Sequence, residues 1–208
     1  YFDKETEIYK GMKKIDDDLG GTTPLNVILK FPSNEKIPKA ENDEFDEWEE
    51  DNKNNDEEKS KYWFTRDKMD KIIKVHDYLD SLPEIGKVLS FGSILRVAED
   101  LNNKKLQSLE IAVLYSKIPA SIKKEIVSPY ISVEKDEARI SVRIKDSLKN
   151  LRRNELINKI NSELNTKIGL DKDEYKLAGV LILFNNLLQS LFKSQILTLG
   201  IVIFGIFL

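Results

Sequence analysis

The segment LGGTTPLNVILKF, residues 19–31, joins a paired glycine turn directly to an apolar run. Gly20 and Gly21 suit the end of a helix, because glycine readily adopts the left-handed conformation found at helix termini. The β-branched and apolar residues after them predict a strand over residues 22–31, which Pro32 ends. Apolar and polar residues alternate imperfectly in this strand, and we therefore expect it to be buried.

A helix is predicted on the amino-terminal side of this turn, over residues 1–20. Its apolar residues recur at three- and four-residue spacing, which is the pattern of one apolar helical stripe: Ile8, Met12, Ile15 and Leu19. The chain opens at Tyr1 and shows no cleavable signal sequence, so we treat it as part of a longer polypeptide.

Farther along, the pattern predicts two helical regions with a strand between them. TRDKMDKIIKVHDYLDSL predicts a helix with Thr65 as its N-cap and Pro83 after its end. IGKVLSF, residues 85–91, predicts a strand. Residues 93–127 predict a helical excursion, with two helices broken near Asn102 and then a shorter helix.

The last third of the chain predicts a strand pair, an amphipathic helix and a final strand. YISVEKDEARISVRIKDS, residues 130–147, predicts two strands joined by a turn over residues 133–138. The helix is predicted over residues 148–164, and Gly169 follows its end. DEYKLAG, residues 173–179, predicts the last strand.

The order of elements is therefore strand, helix, strand, helical excursion, strand, helix, strand. Two such units in a chain of 208 residues predict an α+β fold. The arrangement that we expect is a ferredoxin-like split βαβ sandwich, a four-stranded sheet backed by two helices. We assign the folded domain to residues 21–180.

Composition places few limits on function. The chain has no cysteine, which excludes a disulfide framework and cysteine-bound zinc. Its net charge of −3 is too small to indicate nucleic acid. The charge is unevenly distributed: residues 33–60 hold twelve Asp or Glu and four Lys, a net −8, which leaves +5 for the rest.

The acidic tract at residues 33–60 has low hydrophobicity, with Phe45 and Trp48 as its large aromatic side chains. Such a composition buries too little surface to offset the entropy of ordering, so we predict a mobile, exposed insertion. Clustered carboxylates attract divalent cations, but the tract lacks the spacing of a calcium loop, and we predict no metal site.

SQILTLGIVIFGIFL, residues 194–208, carries no charge. Residues 196–208 would span roughly 20 Å as a helix, against about 30 Å for a bilayer core. We expect residues 181–208 to form a connecting helix and the first part of a transmembrane helix, because a soluble core helix is seldom apolar on every side. Lys193 would then extend to the lipid headgroups.

Candidate catalytic and binding residues are few. His76, the single histidine, has no partner that the sequence nominates, and we expect a packing or surface role. The common nucleophile, zinc-protease, Walker and dinucleotide motifs do not occur. We expect no enzymatic activity, catalytic residue, cofactor or metal, and we assign no substrate-binding residues. Four basic residues lack interleaved aromatics and are expected to be solvated rather than to bind nucleic acid: Lys145, Lys149, Arg152 and Arg153.

Four stretches of the chain resemble, in order and spacing, the first large extracytoplasmic loop of certain membrane exporters. These exporters are the MMPL-like, hydrophobe/amphiphile efflux type of the resistance-nodulation-division (RND) superfamily. The stretches are LGGTTPLNVILKF (19–31), LPEIGKVLSFGSIL (82–95), EARISVRIKDS (137–147) and LAGVLILFNNLLQSLFKSQILTLGIVIF (177–204). The acidic insertion departs from the family pattern.

The resemblance implies a porter domain between the first and second membrane helices of a proton-driven exporter in the bacterial inner membrane. Residues 1–190 would then lie mainly in the periplasm. The implied partners are the membrane, a hydrophobic, amphiphilic or lipid-like cargo, and the rest of the transporter, with its second porter loop and membrane helices. A homo-oligomer is compatible with this interpretation, and nucleic acid is not expected. The proton-relay residues of the superfamily lie in later membrane helices, outside this chain.

Two other classes of protein remain open at this point. A membrane-tethered extracytoplasmic sensor or protein-interaction domain would have the same anchoring helix. A soluble α+β enzyme with a buried last helix has no catalytic residues to support it. The sequence after residue 208 separates the exporter from the tethered domain, because a transporter continues with several apolar helices and a repeat of this loop.

Overall fold

The structure, a computed structural model, describes residues 3–32, 63–148 and 151–207. It has the predicted α+β composition, with one antiparallel sheet and a long apolar helix at the carboxyl end. The acidic insertion expected at residues 33–60 and the basic residue Lys149 lie outside the described residues.

Five strands and seven α-helices make up the described part of the chain. The strands are β1 Thr23–Lys30, β2 Ile85–Leu89, β3 Ile131–Ser132, β4 Glu137–Ile144 and β5 Tyr175–Ala178. The helices are α1 Glu7–Leu19, α2 Arg66–Asp80, α3 Phe91–Asn102, α4 Ser108–Lys117, α5 Ala120–Ile122, α6 Arg153–Glu163 and α7 Val180–Phe207. π-Helical turns over Lys123–Val127 and Leu164–Ile168 follow α5 and α6.

β1 lies inside the sheet, whose strand order is β2-β4-β1-β5. It pairs antiparallel with β4 along its whole length and with β5 over four residues. The short β3 pairs with the start of β4. Leu25, Val27 and Leu29 of β1 are fully buried, and the residues between them are only partly covered. The strand is therefore enclosed along both edges but covered by the core on one face only.

The core lies between that face of the sheet and helices α2 and α6. Both helices place apolar residues at helical spacing on the side that is buried. From α2 these are Met69, Ile72, Val75 and Leu79, and from α6 they are Leu156, Ile157 and Ile160. The helix predicted after Thr65 is thus confirmed, and Thr65 is its N-cap residue, although its side chain makes no capping hydrogen bond.

Helix α6 begins at Arg153, later than the predicted start at residue 148. The segment before it is held as a turn by hydrogen bonds: the Ser147 N–H donates to the Asp16 carboxylate at 2.6 Å, and the Leu148 N–H donates to the Lys145 carbonyl. Apolar spacing indicates the body of this helix but does not fix its first residue.

An aromatic cluster joins the two segments of chain that flank residues 33–62. The rings of Phe31 and Trp63 meet edge to face with centroids 5.7 Å apart. The ammonium of Lys68 lies 4.6 Å from the Trp63 ring centroid and 3.7 Å from the Asp136 carboxylate. The residues that flank 33–62 therefore meet at one place, at the end of β1.

Close backbone contact at the other end of β1 requires glycine. A Cβ on Gly20 would lie 2.6 Å from the Gly86 carbonyl oxygen of β2, and one on Gly21 would lie 2.6 Å from the Ile144 carbonyl oxygen of β4. Both glycines also have positive φ angles, +80° and +123°. The paired glycines therefore let the chain pass from α1 into the sheet against neighbouring backbone.

The amino-terminal and carboxyl-terminal helices both join the sheet at this end. β1 and β5 are antiparallel, with Asn26 opposite Ala178, so the start of β1 lies beside the end of β5. Gly179, which links β5 to α7, lies so close to β1 that an added Cβ would be 3.0 Å from the Pro24 carbonyl oxygen. Helices α1 and α7 therefore connect to the sheet at the same end of it.

We expect Gly21→Ala to destabilise the domain by about 2 kcal/mol or more, because its φ angle strains alanine and its Cβ would overlap the Ile144 carbonyl. Gly11→Ala is the matched control, since a Cβ there has nothing within 4 Å and lies in a helix, where we expect no loss. Urea unfolding followed by tryptophan fluorescence measures both. Equal stability of the two variants would contradict this account of the turn.

Candidate functional site

Helix α7 is the feature of the structure that most clearly requires a functional explanation. It runs for 28 residues without a break, about 42 Å, and Lys193 is its single charged residue. It is the one helix in the described ranges that is long and apolar enough to cross a membrane by length and composition. None of its most apolar window is buried within the domain.

Only the first two turns of α7 pack on the domain. Leu181 is fully buried, and Ile182 packs against the core. The Asn185 amide donates to the Asn154 side-chain oxygen of α6 at 3.4 Å. Beyond this point large apolar side chains are exposed: Leu187, Leu188, Leu191, Phe192, Ile196, Leu197, Leu199, Ile201, Val202, Ile203, Phe204, Ile206 and Phe207.

The exposed part of α7, residues 187–207, is about 32 Å long and close to the thickness of a bilayer core. The sequence prediction counted only residues 196–208, but the structure leaves the apolar side chains before Lys193 outside the domain as well. Thr198 donates its hydroxyl to the Ser194 carbonyl at 2.9 Å, so this polar group is satisfied within the helix. This geometry suits a helix surrounded by lipid.

Polar residues of α7 line one side of its first half. Asn185, Gln189 and Lys193 recur every four residues, and Phe184, Leu188 and Leu191 lie on other sides of the helix. Lys193 lies about 9 Å from the start of the exposed part, so its side chain can extend toward the headgroups while the helix backbone lies in hydrocarbon.

His76, for which a packing or surface role was expected, is buried. Its side chain on α2 is 6% exposed, and its Nδ1 lies 2.9 Å from the Ser90 hydroxyl. That hydroxyl caps α3 by accepting the Gly92 N–H at 3.0 Å. His76 therefore holds the start of α3 in place and does not face an open cleft.

A polar cluster at the α7 end of the sheet was missed by the sequence analysis. We define it as Asp16, Thr23, Asp146, Ser147 and Arg153. Asp16 is 1% exposed and accepts the Ser147 N–H, and Asp146 accepts from the Thr23 hydroxyl at 3.1 Å and from Arg153 at 2.7 Å. The cluster ties α1, β1 and α6 together. The sequence did not indicate that Asp16 is buried, because this residue stands in a run of three aspartates that resembles a solvated helix end.

The basic residues singled out from the sequence are in part paired with acids. Arg153 contacts Asp146 in the polar cluster, and Arg152 contacts Glu155 at 2.7 Å. Lys145 is half-buried, and its backbone N–H donates to the Glu84 carbonyl beside β2. They therefore do not form one unpaired basic face in the described part of the chain.

The apolar stripe predicted on α1 is mostly uncovered. Ile8 and Leu19 are 58% and 59% exposed, and Asp16 is the buried residue of this helix. α1 is thus joined to the domain through a polar contact, with its apolar residues outward.

Comparisons of the chain with protein-family models, curated proteins and solved structures find no match. Within the described ranges, no group of three or more His, Cys, Asp or Glu side chains is placed to hold a metal ion. Helix α7 and the way in which the domain is attached to it are therefore the features from which a function can be inferred.

We expect the domain to lose stability as the pH falls below about 6.5 because of His76. Burial lowers the pKa of its imidazole, Arg96 lowers it further, and Asp77 and Asp80 oppose this less strongly. The unfolded chain then binds a proton that the folded state does not, so falling pH favours unfolding by at most about 1.4 kcal/mol per pH unit.

His76→Asn keeps a neutral hydrogen-bonding group near Ser90 and removes this titration. Urea unfolding at pH 7.0, 6.0 and 5.5 should give a flatter pH dependence for this variant than for the wild-type chain. Parallel pH profiles for the two proteins would show that His76 is not the group that titrates.

Proposed function

We propose that the chain is a membrane-anchored extracytoplasmic domain, with α7 as its anchor in the bacterial inner membrane. The observation that carries this proposal is the exposure of α7 over a length close to that of a bilayer core. Burial of one large apolar side chain is worth about 1.5 to 3 kcal/mol, so a helix with thirteen of them exposed requires a cover. Lipid is the cover that an apolar helix of this length fits.

The finer fold that we propose is the ferredoxin-like split βαβ sandwich. Without the short β3, the four strands lie in the chain order second, third, first, fourth, and all neighbours are antiparallel. Helices α2 and α6 connect the first strand to the second and the third to the fourth. Strand order, strand direction and connections all support this assignment.

We further propose that this domain is a porter loop of a proton-driven RND-type exporter of hydrophobic or lipid-like molecules. The resemblance of the four sequence stretches supports the family, and the attachment of both chain ends at one end of the sheet suits a domain placed between two membrane helices. Such a domain makes no covalent bond. It would present a surface or cleft whose exposure changes as the membrane helices move, and protons would pass through residues outside this chain.

A membrane-tethered sensor or interaction domain is the second candidate function. The observation that motivates it is the same helix α7, which would anchor a tethered domain equally well. The two functions predict different sequences after Leu208 in the gene. Four or five further apolar helices and a second copy of this domain support the exporter, whereas a single span with a signalling module after it contradicts the exporter.

We expect the chain to float with phosphatidylcholine vesicles in a density gradient, because α7 enters the bilayer. Leu197→Lys with Ile201→Lys should abolish flotation, since each lysine in the middle of a membrane helix costs about 2.5 to 3.5 kcal/mol. Leu101→Lys with Leu109→Lys is the matched control, because these leucines are 80% and 75% exposed on α3 and α4, and flotation should be unchanged. A wild-type chain that stays monomeric and soluble without vesicles or detergent would overturn the anchor.

A further inference from the structure

The face of the sheet opposite to the core is not covered by any helix in the described part of the chain. Residues of the strands alternate between the two faces, and those on this side are exposed or half-exposed. We call this surface the open sheet face. Its residues are Pro24, Asn26, Ile28 and Lys30 of β1, Lys87 and Leu89 of β2, Glu137, Arg139, Ser141 and Arg143 of β4, and Lys176 and Ala178 of β5.

The open sheet face is strongly basic in a chain whose net charge is negative. It carries five exposed cations and one acid, Glu137, a net +4. None of the five cations forms an ion pair with a residue that the structure describes. They are Lys30, Lys87, Arg139, Arg143 and Lys176.

Two of these cations stand directly opposite each other. Lys87 of β2 is the register partner of Arg143 of β4. Like charges at opposed positions destabilise a sheet, and within the described residues no carboxylate is paired with either of them. Some other cations of the domain are closely paired, as Arg66 is with Asp70 and Glu99. An anion from outside the described residues would relieve this repulsion.

The cations are also spread along the strands, and one of them, Arg139, lines a depression in the surface. Lys30 and Arg143 lie near opposite ends of the β1–β4 pair, six register steps or about 20 Å apart. Between them, Ile28 and Arg139 line an open depression of about 200 Å³ together with Tyr130 and Lys135. The open sheet face thus offers separated positive charges and a recess for a side chain.

We propose that the open sheet face binds an acidic, Asp- and Glu-rich segment of polypeptide in an extended conformation. An extended chain places every second carboxylate on one side at intervals of about 6.6 Å, which suits cations spaced along the strands. Nucleic acid fits less well, because it is usually bound on sheets through stacked aromatic rings, and no aromatic side chain points outward from these four strands.

The test is a titration with a fluorescein-labelled synthetic peptide of residues 33–60, the most acidic sequence in this protein, against the full chain in neutral detergent. Residues 33–60 of the chain itself would compete, so a second form is titrated, in which residues 35–60 are replaced by a Gly-Ser linker of the same length. Binding should be saturable in at least one form and should weaken as salt is raised from about 50 to about 300 mM.

Arg139→Glu with Arg143→Glu should weaken that binding at least about tenfold. Lys13→Glu with Lys105→Glu is the matched control, since both lysines are exposed, lie away from the sheet and undergo the same change of charge. Circular dichroism shows whether each variant is folded. Should the arginine variant fail to fold, Arg139→Gln with Arg143→Gln removes the two charges without introducing acids, and a loss of at least about threefold is expected.

Three results would overturn the proposal. They are the absence of peptide binding in both forms, an equal loss in the arginine and lysine variants, and tighter arginine-dependent binding of a single-stranded RNA or of phosphatidylglycerol vesicles than of the peptide. None of these results bears on flotation through α7, so the proposed function and this inference can fail independently.

Discussion

The passage of the chain from α1 into β1 is the constraint on which the arrangement of the molecule depends. Gly20 and Gly21 bring backbone against the backbone of β2 and β4 at distances that leave no room for a side chain. Because β1 is an inner strand, this contact fixes where the chain passes from α1 into the middle of the sheet. The polar cluster reinforces it, since Asp16 in α1 is buried against the Ser147 N–H. The position of α7 depends on the same geometry, because β5 ends beside the start of β1.

Much of the fold could be predicted from the sequence, because its elements are strongly periodic. The strand at residues 22–31, the helix after Thr65 and the break near Asn102 all appear in the structure with small shifts of their ends. Asn103 ends α3 in the left-handed conformation, as a short polar residue can. Hydrophobic spacing therefore identified elements whose apolar residues pack into the core.

The features that could not be predicted depend on contacts between distant parts of the chain. The buried position of Asp16 reflects a hydrogen bond across more than a hundred residues, which its carboxylate accepts from the Ser147 N–H. The apolar stripe predicted the helix α1, but it did not show that its leucine and isoleucines are exposed and that an aspartate is buried. The open sheet face was missed for a related reason. Its cations are scattered through four segments of sequence, and only strand pairing brings them together.

The aromatic contact between Phe31 and Trp63 has a consequence for how this protein can vary. It fastens the two sides of residues 33–62 to each other, at the opposite end of β1 from α7. Lengthening a connection between two points that are held together costs little, about 0.6 kcal/mol for each doubling when the connection is flexible. Insertions and deletions between Pro32 and Trp63 should therefore be tolerated during evolution, while changes of length at the glycine turn would disturb the close contact of β1 with its neighbours. We expect related chains to differ most in length at this site and least at the turn.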